Sequence, residues 1–333
     1  MGKGSVMTVK NVAIPIPNDR SDMGGEREAF AHVPAEPRGC VLMLHGMAEH
    51  KERYRELAEV LAAARFAAVS YDHAGHGVSL PEERRTGLLA RKDGDRDVVE
   101  TVGAVTDWIE REFAGIPCIL LGHSFGSFVA RAVMREAGER YAGFVFCGTA
   151  AHPGLKGVIG RAIASTSAAI RGPAARSPRL LALTTGGYSR RIHQPRTPFD
   201  WLSRDREVVD AYVNDPGSGF TPSAGFFRDL TRLLLRVNSR RYLKPGLPDR
   251  PVLLMLGSED PVGGWGTANQ RVKELLEEAG VSNVTSRVYE GARHELFHET
   301  NRREVFRDLT NWLSRRVSGG TKREPARRTQ VSG

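Results

Sequence analysis

From Cys118 to Ser127 the chain reads Cys-Ile-Leu-Leu-Gly-His-Ser-Phe-Gly-Ser, and a helical apolar pattern (Phe128, Val129, Ala132, Val133) follows without a break. An apolar run of strand length that passes through Gly-x-Ser-x-Gly into a helix leaves little choice of fold. The serine has to sit at a sharp, strained strand-to-helix turn with its hydroxyl exposed. The glycines two residues to either side let the helix and a neighbouring strand approach without clashing side chains. The same rhythm recurs along the chain. Strands are read at residues 8–17, 39–44, 66–71 and 143–149, and helices at about 54–64 and 95–113. The run at 39–44 is continuously apolar, as in a strand buried on both faces. Strand–helix alternation of this kind predicts an α/β protein with a mostly parallel central sheet and helices on both faces.

After Thr149 the rhythm breaks. Residues 151–225 hold no clear strand, but helical patterns such as Leu155, Val158, Ile159, Ala162 and Ile163 are interrupted by Gly172-Pro173, Pro178, Gly186-Gly187, Pro195 and Pro198. An insertion of this type between sheet strands is a helical cap or lid over a site, placed after the sixth strand. The sheet pattern returns at 250–257 and 284–289, with helices near 267–279 and 301–315. The expected division is therefore a core from 1 to 150, a cap from 151 to 225, a second part of the core from 226 to 316, and a tail from 317 to 333.

That tail is Gly-, Ser-, Thr- and Arg-rich and reads as a disordered basic segment. Charge location matters here because a net +9 can signal nucleic acid. Residues 315–333 carry +5 and residues 151–199 carry +8 with no Asp or Glu, so the rest of the chain is net negative. The basic character is local. Without a recognition module or interleaved aromatics, no nucleic-acid partner is expected. The basic cap block has two readings: a solvated surface, or a face attracted to anionic membrane lipid. No apolar run is long enough to span a bilayer, and the first residues carry neither a signal-peptide core nor, with Val6, a myristoylation pattern. Cys40, Cys118 and Cys147 are odd in number and without CxxC spacing, which reads as buried reduced thiols in a cytoplasmic protein.

A serine hydroxyl needs a base, and the base needs an orienting acid. In a doubly wound sheet these collect at the carboxyl ends of strands. Asp260 follows the strand ending at Gly257, and His294 follows the strand at 284–289, giving the chain order Ser124, Asp260, His294. The backbone N–H groups of Met47 and Phe125 are the matching oxyanion donors. The rival base is His298 and the rival acids are Glu259 and Asp72. Asp72 reads as a residue that holds its own loop. His45 and His123 read as structural neighbours, and His73 with His76 as part of a loop that lacks a third metal ligand.

His45-Gly46-Met47-Ala48-Glu49-His50, Arg53-Tyr54, the run Asp72–Ser79 and Gly122–Gly126 together resemble the monoacylglycerol lipase and lysophospholipase branch of the α/β hydrolases, the serine aminopeptidase S33 type. The segment Phe199–Asp205 with Asn214-Asp215-Pro216 resembles the end of the cap in bacterial members. One departure is Phe125-Gly126-Ser127 where many members carry Met-Gly-Gly. The resemblance implies a Ser–Asp–His triad, no cofactor, and two-step hydrolysis of a carboxylic ester through an acyl-enzyme. The expected substrate is a monoacylglycerol or lysophospholipid. The alternatives are a general carboxylesterase for small or aryl esters and a non-catalytic binding protein on the same fold.

Overall fold

The computed structural model describes residues 7–17, 19–21, 25–244 and 246–317. The expectations for the first six residues and for the tail from 318 onward lie outside the described residues. Eight strands, β1 (Thr8–Pro15), β2 (Glu26–Val33), β3 (Gly39–Leu44), β4 (Phe66–Tyr71), β5 (Cys118–His123), β6 (Gly143–Cys147), β7 (Val252–Gly257) and β8 (Val284–Tyr289), form one sheet in the order β1-β2-β4-β3-β5-β6-β7-β8. The pairs β1–β2 and β2–β4 are antiparallel, and all others are parallel. β3 to β7 are buried along their whole length, as continuous apolar strands under two helical layers should be.

The helices are α1 (Arg55–Ala63), α2 (Gly94–Glu112), α3 (Phe125–Ala137), α4 (Gly154–Arg171), α5 (Pro178–Thr185), α6 (Arg206–Asn214), α7 (Ala224–Val237), α8 (Arg240–Leu243), α9 (Ala268–Glu278) and α10 (Arg302–Val317). One face of the sheet packs on α2, α3, α7 and α9 through Val102, Val105, Val129, Val133, Leu233 and Val272. The other packs on α1 and α10 through Leu57, Leu61, Val305, Leu309 and Leu313. The helical insertion between β6 and β7 runs from α4 to α8. Within it α7 starts at Ala224, is capped by Ser223 Oγ accepting from the Phe226 N–H at 3.1 Å, and packs on both the core helices and α4.

β2 is a strand that the sequence reading did not place. Its inward position 27 is an arginine, so the alternation of buried and exposed residues does not show as apolar and polar. Arg27 is buried by pairing with Asp19, Nη2 to Oδ1 at 2.9 Å and Nη1 to Oδ2 at 3.1 Å. Burial works against the Asp19 charge, yet Arg27 and Ser21 hold its carboxyl down to about 2.

Candidate active site

Ser124 follows β5 directly and adopts φ 51°, ψ −118°. Backbone of this kind costs a non-glycine residue about 1–3 kcal/mol, so it persists only where its surroundings over-determine it. They do. The Ser124 N–H donates to the Cys147 carbonyl at 2.9 Å, and its own carbonyl accepts from the N–H and Oγ of Ser127 at 2.9 and 2.6 Å. A Cβ at Gly122 would lie 2.2 Å from the Gly126 carbonyl oxygen, and one at Gly126 would lie 2.3 Å from that of Leu44. Both glycines are therefore required by close backbone approach, and Phe125 opens α3 immediately behind the serine.

The structure brings Asp260 and His294 together. Both are fully buried, and His294 Nδ1 donates to Asp260 Oδ2 at 2.9 Å while the other oxygen accepts from the Val262 N–H at 2.8 Å. The loops after β7 and β8 approach because position 257 is glycine: a Cβ there would lie 2.1 Å from the Ala292 carbonyl oxygen. The Glu259 N–H donates to that carbonyl at 2.9 Å, and Ser258 Oγ accepts from the Gly291 N–H at 2.8 Å. Gly148, at the end of β6, lies against the imidazole, with room for no side chain: a Cβ would meet His294 Cε1 at 3.0 Å.

The rivals are placed elsewhere. Glu259 is exposed. Asp72 accepts from the Lys51 N–H at 2.7 Å and from its Nζ at 2.6 Å, and so holds its own loop through a buried lysine. His298 Nε2 is engaged by the Arg53 carbonyl at 2.8 Å. His45, His73 and His76 form a buried ring cluster; burial pushes His45 down to about 4, His76 to about 3 and His73 well below its ordinary value.

Met47 lies on the turn after β3, next to Ala48 at φ 54°. That turn is pinned from beneath by Glu49, whose Oε1 accepts from the Gly46 N–H at 2.5 Å. From above, the Ala48 carbonyl accepts from Tyr212 Oη at 3.0 Å and the Gly219 N–H at 2.9 Å. The His294 loop is similarly fastened to residues 200–204. The Glu295 N–H donates to the Leu202 carbonyl at 2.8 Å, and Arg293 Nη1 donates to the carbonyls of Asp200 and Ser203 at 2.6 and 2.9 Å. Trp201 stacks at a tilt 5.1 Å from the His294 ring. Sequence reasoning gave no role to Glu49, Arg53, Trp201, Tyr212 or Glu295. The available signal was that Glu49, Arg53 and Trp201 fall within the family-like stretches already noted, and that Glu295 adjoins His294.

Two unequal chambers meet at Ser124. One, about 40 Å³, is lined by His294, His123, Glu49, Tyr212 and Trp201. The other, about 320 Å³, is bounded by Met47, Phe125, Phe128, Leu230, Leu234 and Val262 and includes the exposed His152 and Arg271 in its lining. Met47, Ser124 and Trp201 belong to both.

An eight-stranded, mostly parallel sheet with a serine at a strained turn after β5 and an Asp–His pair after β7 and β8 defines an α/β hydrolase. Residues 35–301 match the family described as serine aminopeptidase, S33, and the chain belongs to that family. It is 28% identical over 287 residues to a monoacylglycerol lipase of Mycolicibacterium smegmatis, covering 84% of this chain and 89% of that one. It is 29% identical over 296 residues to the human monoglyceride lipase, covering 87% of each chain. Among solved structures it resembles a thermostable carboxyl esterase from Bacillus coagulans in complex with glycerol, with a TM-score of 0.85 and 24% identity over 94% of this chain and all of that one.

Proposed function

We propose that the protein hydrolyses carboxylic esters of monoacyl lipids, with Ser124 as nucleophile, His294 as base and Asp260 as the residue that orients it. The Nδ1–H of His294 is committed to Asp260, which leaves Nε2 with a lone pair to take the Ser124 proton. Ser124 Oγ bonds to the ester carbonyl carbon, and the oxyanion is received by the N–H groups of Met47 and Phe125. Each such donor contributes about 2.7–4 kcal/mol to transition-state stabilisation. Collapse breaks the bond to the alcohol, which leaves with the proton from His294. Water then attacks the acyl-enzyme, giving its proton to His294, and the acid departs as Ser124 is restored.

The observation that carries this reading is the inequality of the two chambers. His294 protonates the leaving alcohol, so the alcohol occupies the chamber that His294 lines. That chamber is small and has Phe199, Trp201, Leu202 and Phe220 beside Glu49, His123 and Tyr212 in its walls, so its size suits a short alcohol such as glycerol. The acyl limb occupies the large chamber on the oxyanion side, whose walls are mostly apolar. The relatives named monoacylglycerol and monoglyceride lipase support the same substrate class.

No described helix is long and apolar enough to cross a membrane. The insertion nevertheless exposes Leu155, Ile159, Ile163 and Ile170 on α4 and Leu183 on α5, with Ile170 79% exposed, among Lys156, Arg161, Arg171 and Arg179. A basic helix with an apolar face fits peripheral contact with anionic lipid from which a monoacyl substrate is drawn. The three buried cysteines, all free, fit a reducing cytoplasm.

The test is product release from monoacylglycerols, lysophospholipids and p-nitrophenyl esters, each as an acyl-length series, with Ser124→Ala as control. Loss of turnover in Ser124→Ala and an optimum at medium or long chains on a small alcohol are expected. A preference for acetyl or aryl esters would replace this reading with a general carboxylesterase. A parent protein that neither turns over any ester nor reacts with a fluorophosphonate would leave only a binding role.

A further inference from the structure

Behind the reacting groups lies a buried ionic cluster that the steps above do not use. Arg53 Nη1 donates to Glu49 Oε2 at 2.8 Å and to Glu295 Oε1 at 2.5 Å, and Nη2 donates to Glu295 Oε2 at 2.7 Å. The three side chains are only 10%, 3% and 3% exposed. We propose that Arg53 is a positioning residue for the hydrolysis, fixing the oxyanion turn and the His294 loop at one separation through its shared grip on Glu49 and Glu295. This rests on the assignment of Ser124, His294 and the Met47 amide given above.

The connectivity carries the argument. Glu49 uses its remaining oxygen, Oε1, on the N–H of Gly46, the residue before Met47. Glu295 is the residue after His294. The peptide that presents the Met47 amide and the residue adjoining the imidazole therefore hang from one cation. A third tie runs through Tyr212: the Arg53 guanidinium lies 4.8 Å from its ring centre, and its hydroxyl donates to Ala48, one residue past Met47. His123, the residue before Ser124, closes the circuit with Nδ1 3.1 Å from Glu49 Oε1 and Nε2 3.3 Å from the His294 carbonyl. All the backbone that presents reacting groups from β3, β5 and β8 is thus joined to one buried cluster.

Arg53 is the cation that both carboxylates share, with His123 beside Glu49. Burial alone would raise both carboxyls, but His123 and Arg53 hold Glu49 well below the usual carboxylate range, and Arg53 holds Glu295 down. Two buried carboxylates without that cation would repel each other and separate the loops they support. Lysine offers a point charge in place of a planar fork, so it can satisfy one carboxylate well but not both.

The experiment compares the parent, Arg53→Met and Arg53→Lys on a soluble short-chain ester, well below the melting temperature of each. Arg53→Met is expected to lower kcat about 10–100-fold, the loss that follows a misplacement of order 1 Å. KM should change less than kcat, because Arg53 itself lines neither chamber, and Arg53→Lys should recover part of the loss. An undiminished kcat in a folded Arg53→Met, however much its melting temperature falls, would make the cluster a stability feature only and overturn the proposal. Where Arg53→Met does not fold, Arg53→Lys and Glu295→Gln decide instead, and parent-like kcat in both overturns it. Turnover by the parent is first checked against Ser124→Ala. Absence of Ser124-dependent turnover refutes the functional reading itself, whereas its presence with undiminished variants refutes only the role of Arg53.

Discussion

If the large chamber takes the acyl limb, its volume sets a chain-length profile. Filling about 320 Å³ of space at ~24 cal/mol per Å³ recovers at most about 7–8 kcal/mol. At ~0.8 kcal/mol per methylene that corresponds to about nine or ten methylenes. kcat/KM on saturated 1-monoacylglycerols should therefore climb by up to about fourfold per methylene and level off at about ten, where the chamber is full. Leu234, on α7, lines this chamber and not the small one. Leu234→Trp takes up room equal to roughly two methylenes, so the decanoyl-to-butyryl ratio of kcat/KM should fall about 15-fold. The acetyl ester, which does not reach that wall, should be cleaved at the parent rate. The assay is steady-state kinetics below the critical micelle concentration of each ester. An unchanged chain-length slope in Leu234→Trp would refute the assignment of limbs to chambers, and with it the argument that His294 marks the alcohol side.

Three further outcomes follow from particular contacts. Gly257→Ala places a methyl against the Ala292 carbonyl and pushes the acid loop from the base loop; kcat should fall on the order of 10²-fold in a protein that remains folded by circular dichroism. The Asp19 carboxyl, held down to about 2 by Arg27 and Ser21 against an ordinary value near 3.8, contributes stability that is fully present above the ordinary value and lost as pH falls toward 2. Urea midpoints of parent and Asp19→Asn should accordingly differ at pH 6 and converge near pH 2; a gap that persists at low pH would place the effect elsewhere. Finally, Leu155→Asp with Ile170→Asp should abolish sedimentation with vesicles of anionic lipid and leave hydrolysis of a soluble ester intact, because both side chains point away from the chambers into solvent.

How much of this was legible in the sequence depends on the kind of interaction that fixed each part. β3 and β4 were readable because burial on both faces demands continuous apolar runs: 39–44 coincides with β3 and 66–71 with β4, while 284–289 coincides with β8, a partly exposed edge strand. The glycines at 122 and 126 were readable because a strained turn has few solutions. β2 was not, since an ion pair between Arg27 and Asp19 substitutes for apolar burial and erases the alternation. The pairing of Asp260 with His294 could be expected from chain order, and the rivals could be ranked by distance from a strand end. The roles of Arg53 and Glu295, 242 residues apart in sequence, could not, because no local pattern records which distant charges meet.

The insertion does two different jobs, and the bonding separates them. From Phe199 to Gly219 it is fastened to the reacting loops: Leu202 to Glu295, Asp200 and Ser203 to Arg293, Arg204 to Glu299, Tyr212 and Gly219 to Ala48. That stretch cannot lift without releasing the Met47 turn and the His294 loop. α4 is different. It buries only Ala164 and Ala168, rests on α7, and presents its larger apolar residues outward. Small buried side chains give little apolar area and therefore little resistance to displacement, on the order of 0.8 kcal/mol for each methyl-sized group. α4 is thus the part of the insertion that shifts at least cost, and because it lines neither chamber its displacement leaves the Met47 turn and the His294 loop held throughout.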